Sequence, residues 1–398
     1  MPTEDQPSPD EEQTRNLLRT LSLEDQATIG LVVCGTEDWH KSPVGSAERP
    51  VRIAKCLEQL KLRHMDFVHV QSRPRSATDF EILRVHTRAH LKRLTRLVID
   101  RPPELLVNSK DHDRFVNAAA GEEFDSVFMT SRSLDAARLS AGAVLDAVDA
   151  VCERRVRCVA AAIRPPGHHA ESHCAMGFCL FNNVALAARR AVDVHKCKRV
   201  LIVDFDIHHG NGTQRIFWAE DRVLYVSVHR WDNAGFYPYS TDAGCTVTGP
   251  ASGPGAGKTV NVGFSGGAPM GDAEYLSAWE RVVMPVSTEY NPDLVLVSAG
   301  FDACEGDSIG QYAVTPRCFA TMVSQLTRLA EGRCVMMLEG GYNVEQTALS
   351  FALCAEALAG KLGPHDVVAA SDDVKPEART AIDETIDACA KHWKCFQR

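Results

Sequence analysis

The segment VDFDIHHGNG, residues 203–212, places two aspartates and two histidines directly after the apolar run RVLIV. Side chains alternate between the two faces of a β-strand, so Asp204, Asp206 and His208 are predicted to project in one direction. Two carboxylates and an imidazole side by side are unfavourable to bury without a partner, and a cation is the simplest partner. Asp204 has a second interpretation, in which it orients a neighbouring histidine or the loop backbone without touching the metal.

Three further apolar runs end in polar side chains of the same kind. His168 and His169 follow RCVAAAI, Asp302 follows DLVLVSAG, and Tyr342 follows CVMML. Taken singly, each has an ordinary explanation as a solvated histidine pair, a turn aspartate or a packed aromatic ring. Ligands of parallel α/β sheets bind outside the carboxyl ends of the strands, so the four sets together predict one active site.

The residue types indicate metal-assisted hydrolysis. The cluster contains no thiolate, which excludes a structural cysteine-type zinc site, whereas one imidazole with carboxylate oxygens suits catalytic zinc with an open coordination position. Two carboxylates nearly neutralise a dication, so the site needs a separate base, which His168 and His169 can supply. A neutral phenol such as that of Tyr342 can donate to a developing oxyanion. The predicted reaction is hydrolysis of an amide-like carbonyl.

The elements that must position these residues alternate between strands and helices. Apolar strands separated by amphipathic helices predict an α/β fold with a predominantly parallel β-sheet and helices on both faces. The strand candidates are residues 28–35, 157–163, 199–205, 223–229, 259–264, 293–300 and 334–340. The helix candidates are residues 133–151, 182–194, 272–290 and 315–332, the last with Thr315 as N-cap and Pro316 in the first turn.

The chain is predicted to form one domain. Residues 1–20 are polar and acidic and are interpreted as a disordered tail, and residues 21–398 as the folded domain, without a linker between two halves. Near the C-terminus, Ile382, Ile386, Cys389 and Trp393 share one helical stripe, which predicts a helix docked on the core.

Composition excludes several classes of protein. The formal net charge is −9 with no block of lysine or arginine, so we expect no direct nucleic-acid binding. No apolar run reaches membrane-spanning length, so we expect no membrane partner. The 14 cysteines contain no CxxC pair and follow no signal peptide, which favours an intracellular protein.

Seven motifs carry a resemblance to a known family. RPPGHHA, GFCLFNNVALAA, VDFDIHHGNGTQ, SVHR, GFYP, SAGFDACEGD and LEGGYN together resemble the zinc-dependent histone deacetylases, class II-like. The resemblance runs from about Thr28 to Arg398 and includes ERPVRI and HWKCFQR near its ends. It implies an arginase-like fold and hydrolysis of the acetyl amide of N6-acetyl-lysine in histones and/or other proteins, which releases acetate and free lysine. It also implies inhibition by hydroxamates and a location in the nucleus and/or cytoplasm.

The resemblance assigns roles to single residues. Zinc is held by Asp206, His208 and Asp302. His169 is the general base and then the acid, and His168 is an electrostatic partner oriented by Asp204. Tyr342 polarises the carbonyl. Larger groups of residues form the narrow channel for the lysine arm and the structural potassium sites. The channel is lined by Gly177, Phe178, Tyr237 and Ile309; the potassium sites lie near Asp204, Asp206, His208, Ser227 and Phe217.

Some positions distinguish branches of the family. Asn211, a residue of the second layer around the metal, stands where class I members carry aspartate, which favours class II. Residues 270–303 are similar to class IIa, but that branch has histidine in place of Tyr342, so the phenol predicts competent deacetylation. The extra cysteines of a second zinc site are not found, so one zinc is expected. Ile309 stands where polyamine-specific relatives carry glutamate, which favours peptides.

Three alternatives stay open from the residues alone. The substrate can be an acetylpolyamine or another small amide, or the enzyme can prefer longer acyl chains. In a third interpretation, the chain is an acyl-lysine reader or a corepressor scaffold with vestigial catalysis, although the intact catalytic residues argue against it.

Overall fold

The computed structural model describes residues 29–34, 39–40, 46–70, 75–99, 114–117, 122–267 and 269–397. The expected acidic tail, residues 1–20, lies outside the described residues.

One eight-stranded sheet, parallel throughout, forms the centre of the molecule. Its strands are β1 (Ile29–Val33), β2 (Val68–His69), β5 (Cys158–Ala162), β6 (Val200–Asp204), β7 (Val223–Arg230), β8 (Thr259–Phe264), β9 (Leu294–Ala299) and β10 (Cys334–Leu338). A separate antiparallel pair consists of β3 (Arg114–Asn117) and β4 (Glu122–Asp125). The predicted parallel sheet is confirmed.

Helices cover both faces of this sheet, as predicted. They are α1 (Val51–Leu62), α2 (Asp79–Ile82), α3 (Arg88–Ile99), α4 (Ser133–Cys152), α5 (Asn183–Asp193), α6 (Asn211–Ile216), α7 (Asp272–Ala278), α8 (Met284–Tyr290), α9 (Pro316–Leu326), α10 (Val344–Leu358) and α11 (Pro376–Cys389). None of the described helices is both long enough and apolar enough to cross a membrane.

Alternating strand residues divide the core between the two faces. In β6, Leu201 and Val203 belong to one buried cluster together with residues of α1 and α7–α11, whereas Val200 and Ile202 belong to the cluster beneath α3–α5. A strand that is apolar on both faces is typical of a sheet covered by two helix layers. The sheet is therefore apolar and buried on both faces, and it holds in place the polar side chains that follow its strand ends.

Strand order brings the polar strand ends together. The order is β2-β1-β5-β10-β9-β6-β7-β8, so β5, β10, β9 and β6 are direct neighbours at the centre. These are the four strands whose carboxyl ends are followed by His168 and His169, Tyr342, Asp302, and Asp206 and His208. The connection from β5 to β6 skips two strand positions, which are filled later in the chain by β9 and β10.

Local signals set several helix boundaries. The Thr315 hydroxyl accepts a hydrogen bond from the Cys318 N–H, and Pro316 occupies the first turn of α9, as predicted. A π-helical segment, Trp279–Val283, joins α7 to α8 and ends two residues before Pro285, which has no N–H to continue the ladder. The C-terminal helix ends at Cys389. Trp393, which is predicted to lie on the apolar stripe of this helix, instead belongs to the segment after it, where its side chain is buried.

Candidate active site

The loop after β6 carries the first two candidate metal ligands. The alternation pattern predicts that Asp206 and His208 continue the strand. The strand instead ends at Asp204, and both residues lie in the loop before α6. The reason is local: Asp204 Oδ1 accepts the Asp206 N–H at 3.2 Å, and Asp206 Oδ1 accepts the His208 N–H at 2.9 Å. Aspartates that capture a backbone N–H two residues ahead favour turns over strand ladders.

Asp206, His208 and Asp302 form a candidate metal-binding triad. One ligand atom from each of the three buried side chains lies within 4.8 Å of the other two. His208 Nδ1 is 2.9 Å from Asp302 Oδ2 and 3.1 Å from Asp206 Oδ1. The remaining oxygens are held by the backbone: Asp302 Oδ1 accepts the Ile207 N–H, and Asp206 Oδ2 accepts the Gly340 N–H, each at 2.8 Å.

Two glycines allow the strand ends to approach the carboxylates this closely. A Cβ atom on Gly340 would lie 2.4 Å from Asp302 Oδ2 and 2.5 Å from Asp206 Oδ2. A Cβ on Gly300 would also collide with the Asp206 carboxylate. The glycines in SAGFD and LEGGY therefore have a packing role at the triad, since any side chain there would displace a candidate ligand.

Charge is concentrated at the triad. Burial and the nearby charge of Asp206 raise the pKa of Asp302 to about 7. Burial alone would lower the pKa of His208, but the charges of Asp302 and Asp206 and its hydrogen bonds to both carboxylates raise it to about 9. A histidine and two buried carboxylates, one of them with a raised pKa, form a ligand set in which a divalent cation can take the place of protons.

His168 and Asp204 form a buried pair beside the triad. His168 Nδ1 lies 3.1 Å from Asp204 Oδ2, which also accepts the Tyr225 hydroxyl hydrogen at 3.1 Å. Burial lowers the pKa of His168, but the charges of Asp206 and Asp204 outweigh burial and raise this pKa to about 10. Asp204 is not part of the candidate triad; its contact with His168 matches the second interpretation of the sequence.

His169 has the opposite electrostatic environment. Its Nδ1 lies 2.8 Å from Asn211 Oδ1, whose amide nitrogen donates to Glu171 Oε1 at 2.9 Å. Burial, followed by the proximity of His168 and His208, holds the pKa of His169 well below its usual value. Adjacent histidines with pKa values pushed in opposite directions are typical of acid–base sites.

Tyr342 follows β10 and borders the same space. Asp307 Oδ2 accepts its backbone N–H at 2.7 Å, and the guanidinium of Arg52 lies 5.5 Å from the centre of its ring. Arg52 is itself fully buried and donates to the carbonyls of Gly341 and Glu339 at 2.6 Å each. The glycine-rich turn that presents the phenol is therefore held from both sides.

A cavity of about 750 Å³ connects these groups with the surface. Its wall contains His169, His208 and Tyr342 as well as all four residues expected to line a channel: Gly177, Phe178, Tyr237 and Ile309. The neighbouring Phe236 instead stacks on His208, with ring centres 5.0 Å apart. The other expected site residues lie behind this wall. Asp206 and Asp302 contact His208, and the ring of His168 lies against that of His169. Asp204 and Asn211 contact His168 and His169, respectively.

Sequence reasoning missed a group of buried charges that supports this wall. Glu48 binds the guanidinium groups of Arg164 at 2.7 Å and Arg52 at 3.2 Å. Glu339 accepts hydrogen bonds from the Gly167 N–H at 2.6 Å and the Ser298 hydroxyl at 3.1 Å. The available signal was charge within otherwise apolar or glycine-rich motifs, ERPVRI and LEGGYN.

Comparisons with known proteins point to one family. The family model of the histone deacetylase domain matches residues 46–358. The chain is 42% identical over 326 residues to histone deacetylase HDA1 of Saccharomyces cerevisiae, which covers 81% of this chain and 44% of that protein. It is 41% identical over 341 residues to histone deacetylase 18 of Arabidopsis thaliana, which covers 84% and 48% of the two chains.

A solved structure shows the same fold. The crystal structure of the HDA15 HD domain superimposes with a TM-score of 0.79 at 31% identity and covers 93% of this chain and 97% of that chain. The chain spans about half the length of the curated relatives that it matches. On the domain match and on identity over most of its length, this chain belongs to the histone deacetylase family.

Proposed function

We propose that this chain is a zinc-dependent, class II-like lysine deacetylase that hydrolyses the acetyl amide of N6-acetyl-lysine in histones and/or other proteins. The products are acetate and free lysine. One observation carries the proposal: the buried triad of Asp206, His208 and Asp302 reaches, through His208, a cavity that is also lined by His169 and Tyr342.

The triad fits a single Zn²⁺. It offers one imidazole nitrogen and two carboxylate oxygens, a set that zinc accepts in catalytic sites. The raised pKa of Asp302 reflects two buried carboxylates close together, and a dication would relieve their repulsion. Zn²⁺ in this position would supply Lewis-acid polarisation of the amide carbonyl.

His169 is proposed as the group that moves the proton. Its Nδ1 is directed to a side-chain oxygen, so the neutral ring carries its hydrogen on Nδ1 and leaves Nε2 free to accept one. The lowered pKa keeps the ring neutral before reaction. Nε2 then takes a proton from the attacking water and returns it to the leaving lysine amine.

His168 is proposed as a fixed positive charge. Its raised pKa and its contact with Asp204 favour the imidazolium form. Because the two rings are 4.1 Å apart, a charged His168 disfavours protonation of His169 until negative charge develops on the reacting carbonyl.

Tyr342 is proposed as the hydrogen-bond donor to that carbonyl oxygen. Burial, followed by the charges of Asp302 and Asp206, raises the pKa of the phenol well above its usual value, so it stays a donor at all working pH values. The turn that holds Tyr342 is anchored by Asp307 and Arg52, which pre-organises the hydroxyl.

Phe178 and Tyr237 are proposed as the walls for the aliphatic lysine arm. Gly177, with φ of +54°, brings its backbone so close to His169 that a Cβ would lie 2.4 Å from the imidazole. Ile309 adds an apolar side chain to the opening, which suits a neutral peptide backbone better than a polyamine.

Structural K⁺ is proposed beside the triad, as the family resemblance implies. Asp204 of β6 and Ser227 of β7 are register partners and both are buried, which supports the proposal because backbone carbonyls and carboxylates are the ligands of hard cations. A location in the nucleus and/or cytoplasm remains a prediction.

Turnover by the purified chain tests the proposal. Acetyl-lysine peptide, trifluoroacetyl-lysine peptide and acetylspermidine are assayed together with zinc analysis. We expect the acetyl peptide to be hydrolysed. Turnover of trifluoroacetyl peptide alone would show that Tyr342 is not positioned as proposed, and turnover of acetylspermidine alone would change the substrate class.

A further inference from the structure

An exposed aromatic ring stands at the mouth of the cavity. Tyr239 is 67% exposed, yet it lines the same cavity as His169 and Tyr342. Its ring meets the ring of Tyr237 edge-on, with centres 5.8 Å apart. Phe80 is similarly exposed at 69%, but it lies on α2 and does not line this cavity. Tyr239 therefore offers an aromatic surface where a substrate must pass.

The backbone at Tyr239 is unfavourable for a bulky residue. Its φ is +58°, a left-handed conformation that glycine adopts freely and that aromatic residues rarely adopt. The Tyr239 N–H donates to the Phe236 carbonyl at 2.8 Å and closes a tight turn in which glycine would suffice. A strained residue that also exposes its ring at a site opening points to a function of the ring.

An exposed carboxylate lines the same cavity as this ring. Asp125 lines the cavity, and its carbonyl accepts the Gly177 N–H at 3.0 Å, which fixes it beside the channel wall. Burial raises the pKa of Tyr237, and the charge of Asp125 raises it further, as expected of close neighbours. The charge of Asp125 thus acts on Tyr237, whose ring contacts that of Tyr239. An aromatic ring and a carboxylate that line the same cavity are a favourable environment for a cation.

We propose that Tyr239 and Asp125 form a subsite, called here the mouth subsite, for the cationic side chain of an arginine or lysine that flanks acetyl-lysine in the substrate polypeptide. Tyr239 is then a specificity-determining residue. The inference rests on the proposed function for the identity of the reaction, whereas the preference for a cation rests on the two side chains themselves.

A matched pair of peptides measures this preference. In one peptide acetyl-lysine is flanked on both sides by arginine, and in the other by citrulline, which has nearly the same shape without the charge. We expect kcat/KM to favour the arginine peptide by about fivefold, mainly through KM, which is the scale of an exposed cation–π contact with a partly exposed ion pair.

Variants assign the preference to the mouth subsite. Tyr239→Phe keeps the ring and should keep the ratio, Tyr239→Leu should lower it to about twofold, and Tyr239→Leu with Asp125→Asn should abolish it. Tyr, Phe and Leu at position 239 must all adopt the same left-handed backbone conformation. An effect on folding applies equally to both peptides and therefore cancels in the ratio of their kcat/KM values. Phe80→Leu removes an exposed aromatic outside the cavity and is the matched control, with an unchanged ratio.

Two outcomes overturn the inference: equal kcat/KM for the two peptides in the wild type, or a ratio that Tyr239→Leu leaves unchanged. Direct binding of the labelled peptides, measured by fluorescence anisotropy, separates this inference from the proposed function. If no acetylated compound is hydrolysed but the arginine peptide binds more tightly in a Tyr239-dependent manner, the deacetylase proposal fails and the mouth subsite stands.

Discussion

The Nδ1 atom of His169 lies 2.8 Å from the side-chain oxygen of Asn211, and this contact selects the tautomer of the imidazole. The orientation of the Asn211 amide is set in turn by Glu171, which accepts a hydrogen bond from its nitrogen. A carboxylate, an amide and an imidazole thus form a chain that leaves Nε2 as the basic atom at the cavity.

Removal of this acceptor should slow catalysis. Asn211→Leu keeps the approximate size of the side chain but leaves the His169 Nδ1 hydrogen without an acceptor, so kcat should fall on the order of tenfold or more. Asn211→Asp, which retains an acceptor oxygen, should lose less. The measurement is kcat at matched zinc content, and equal rates for the Leu and Asp variants would contradict the proposed tautomer role.

The phenol of Tyr342 should contribute mainly to the transition state. Tyr342→Phe removes the proposed donor to the developing oxyanion and should lower kcat on the order of a hundredfold or more on acetyl peptide. Trifluoroacetyl peptide, whose carbonyl is more electrophilic, should lose less. Zinc content serves as the control because the phenol is not a proposed ligand; an active Phe variant would refute the role of the hydroxyl.

Loss of one triad carboxylate should abolish metal binding. Asp302→Asn removes the charge of one proposed ligand, so the purified variant should contain little zinc, against one zinc per chain in the wild type, and should lose its affinity for a hydroxamate. Asp135→Asn changes an exposed aspartate of α4 and is the control. An unchanged zinc content in the Asp302 variant would show that the ion binds elsewhere.

The buried Glu48 should be important for stability. It is fully buried between Arg52 and Arg164, so Glu48→Gln leaves two buried guanidinium groups short of negative charge and should lower the free energy of unfolding by about 3–5 kcal/mol. Urea unfolding measures the change. Asp383→Asn breaks an exposed pair with Arg281 and should change it by less than about 1 kcal/mol. Similar effects of both variants would refute this argument.

Acid should destabilise the fold through buried neutral histidines such as His86. Burial, then the proximity of His90, lowers the pKa of His86 to about 3. The unfolded chain binds this proton near pH 6.5, whereas the folded chain does not until about pH 3. The free energy of unfolding is therefore fully retained above pH 6.5 and falls below it by about 1.4 kcal/mol per pH unit for this group.

His86→Gln tests the pH dependence. Glutamine can both accept the Asn182 N–H and donate to the Glu171 carbonyl, as His86 does at 2.9 and 3.0 Å, but it does not titrate. The free energy of unfolding is measured by urea unfolding at several pH values between 7 and 5. Its dependence on pH should be weaker in the variant by the equivalent of about one proton. His365→Gln replaces an exposed histidine and is the control. A slope unchanged by His86→Gln would rule out the assignment.

The parts of the site that were predictable are those set by short stretches of chain. Asp206 and His208 are two residues apart, and their turn follows from aspartates that bind nearby backbone N–H groups. Apolar strands, the Thr315 cap and the polar residues after each strand are likewise local features. The buried charge pairs behind the site were not predictable. Glu48 and Arg164 are 116 positions apart in sequence, and no local sequence pattern indicates that they form a pair.

The amino-acid sequence by itself determined which side chains stand at the ends of the strands, because alternating apolar runs and turn residues specify where each strand stops. Only the tertiary structure decided that β5, β10, β9 and β6 are neighbours, and hence that Asp302 reaches His208 from 94 residues away. Strand order depends on how all the helices share the two faces of one sheet. The protonation preferences of His168 and His169 likewise depend on burial and on the charges of Asp206 and Asp204 beside His168 and of His168 and His208 beside His169.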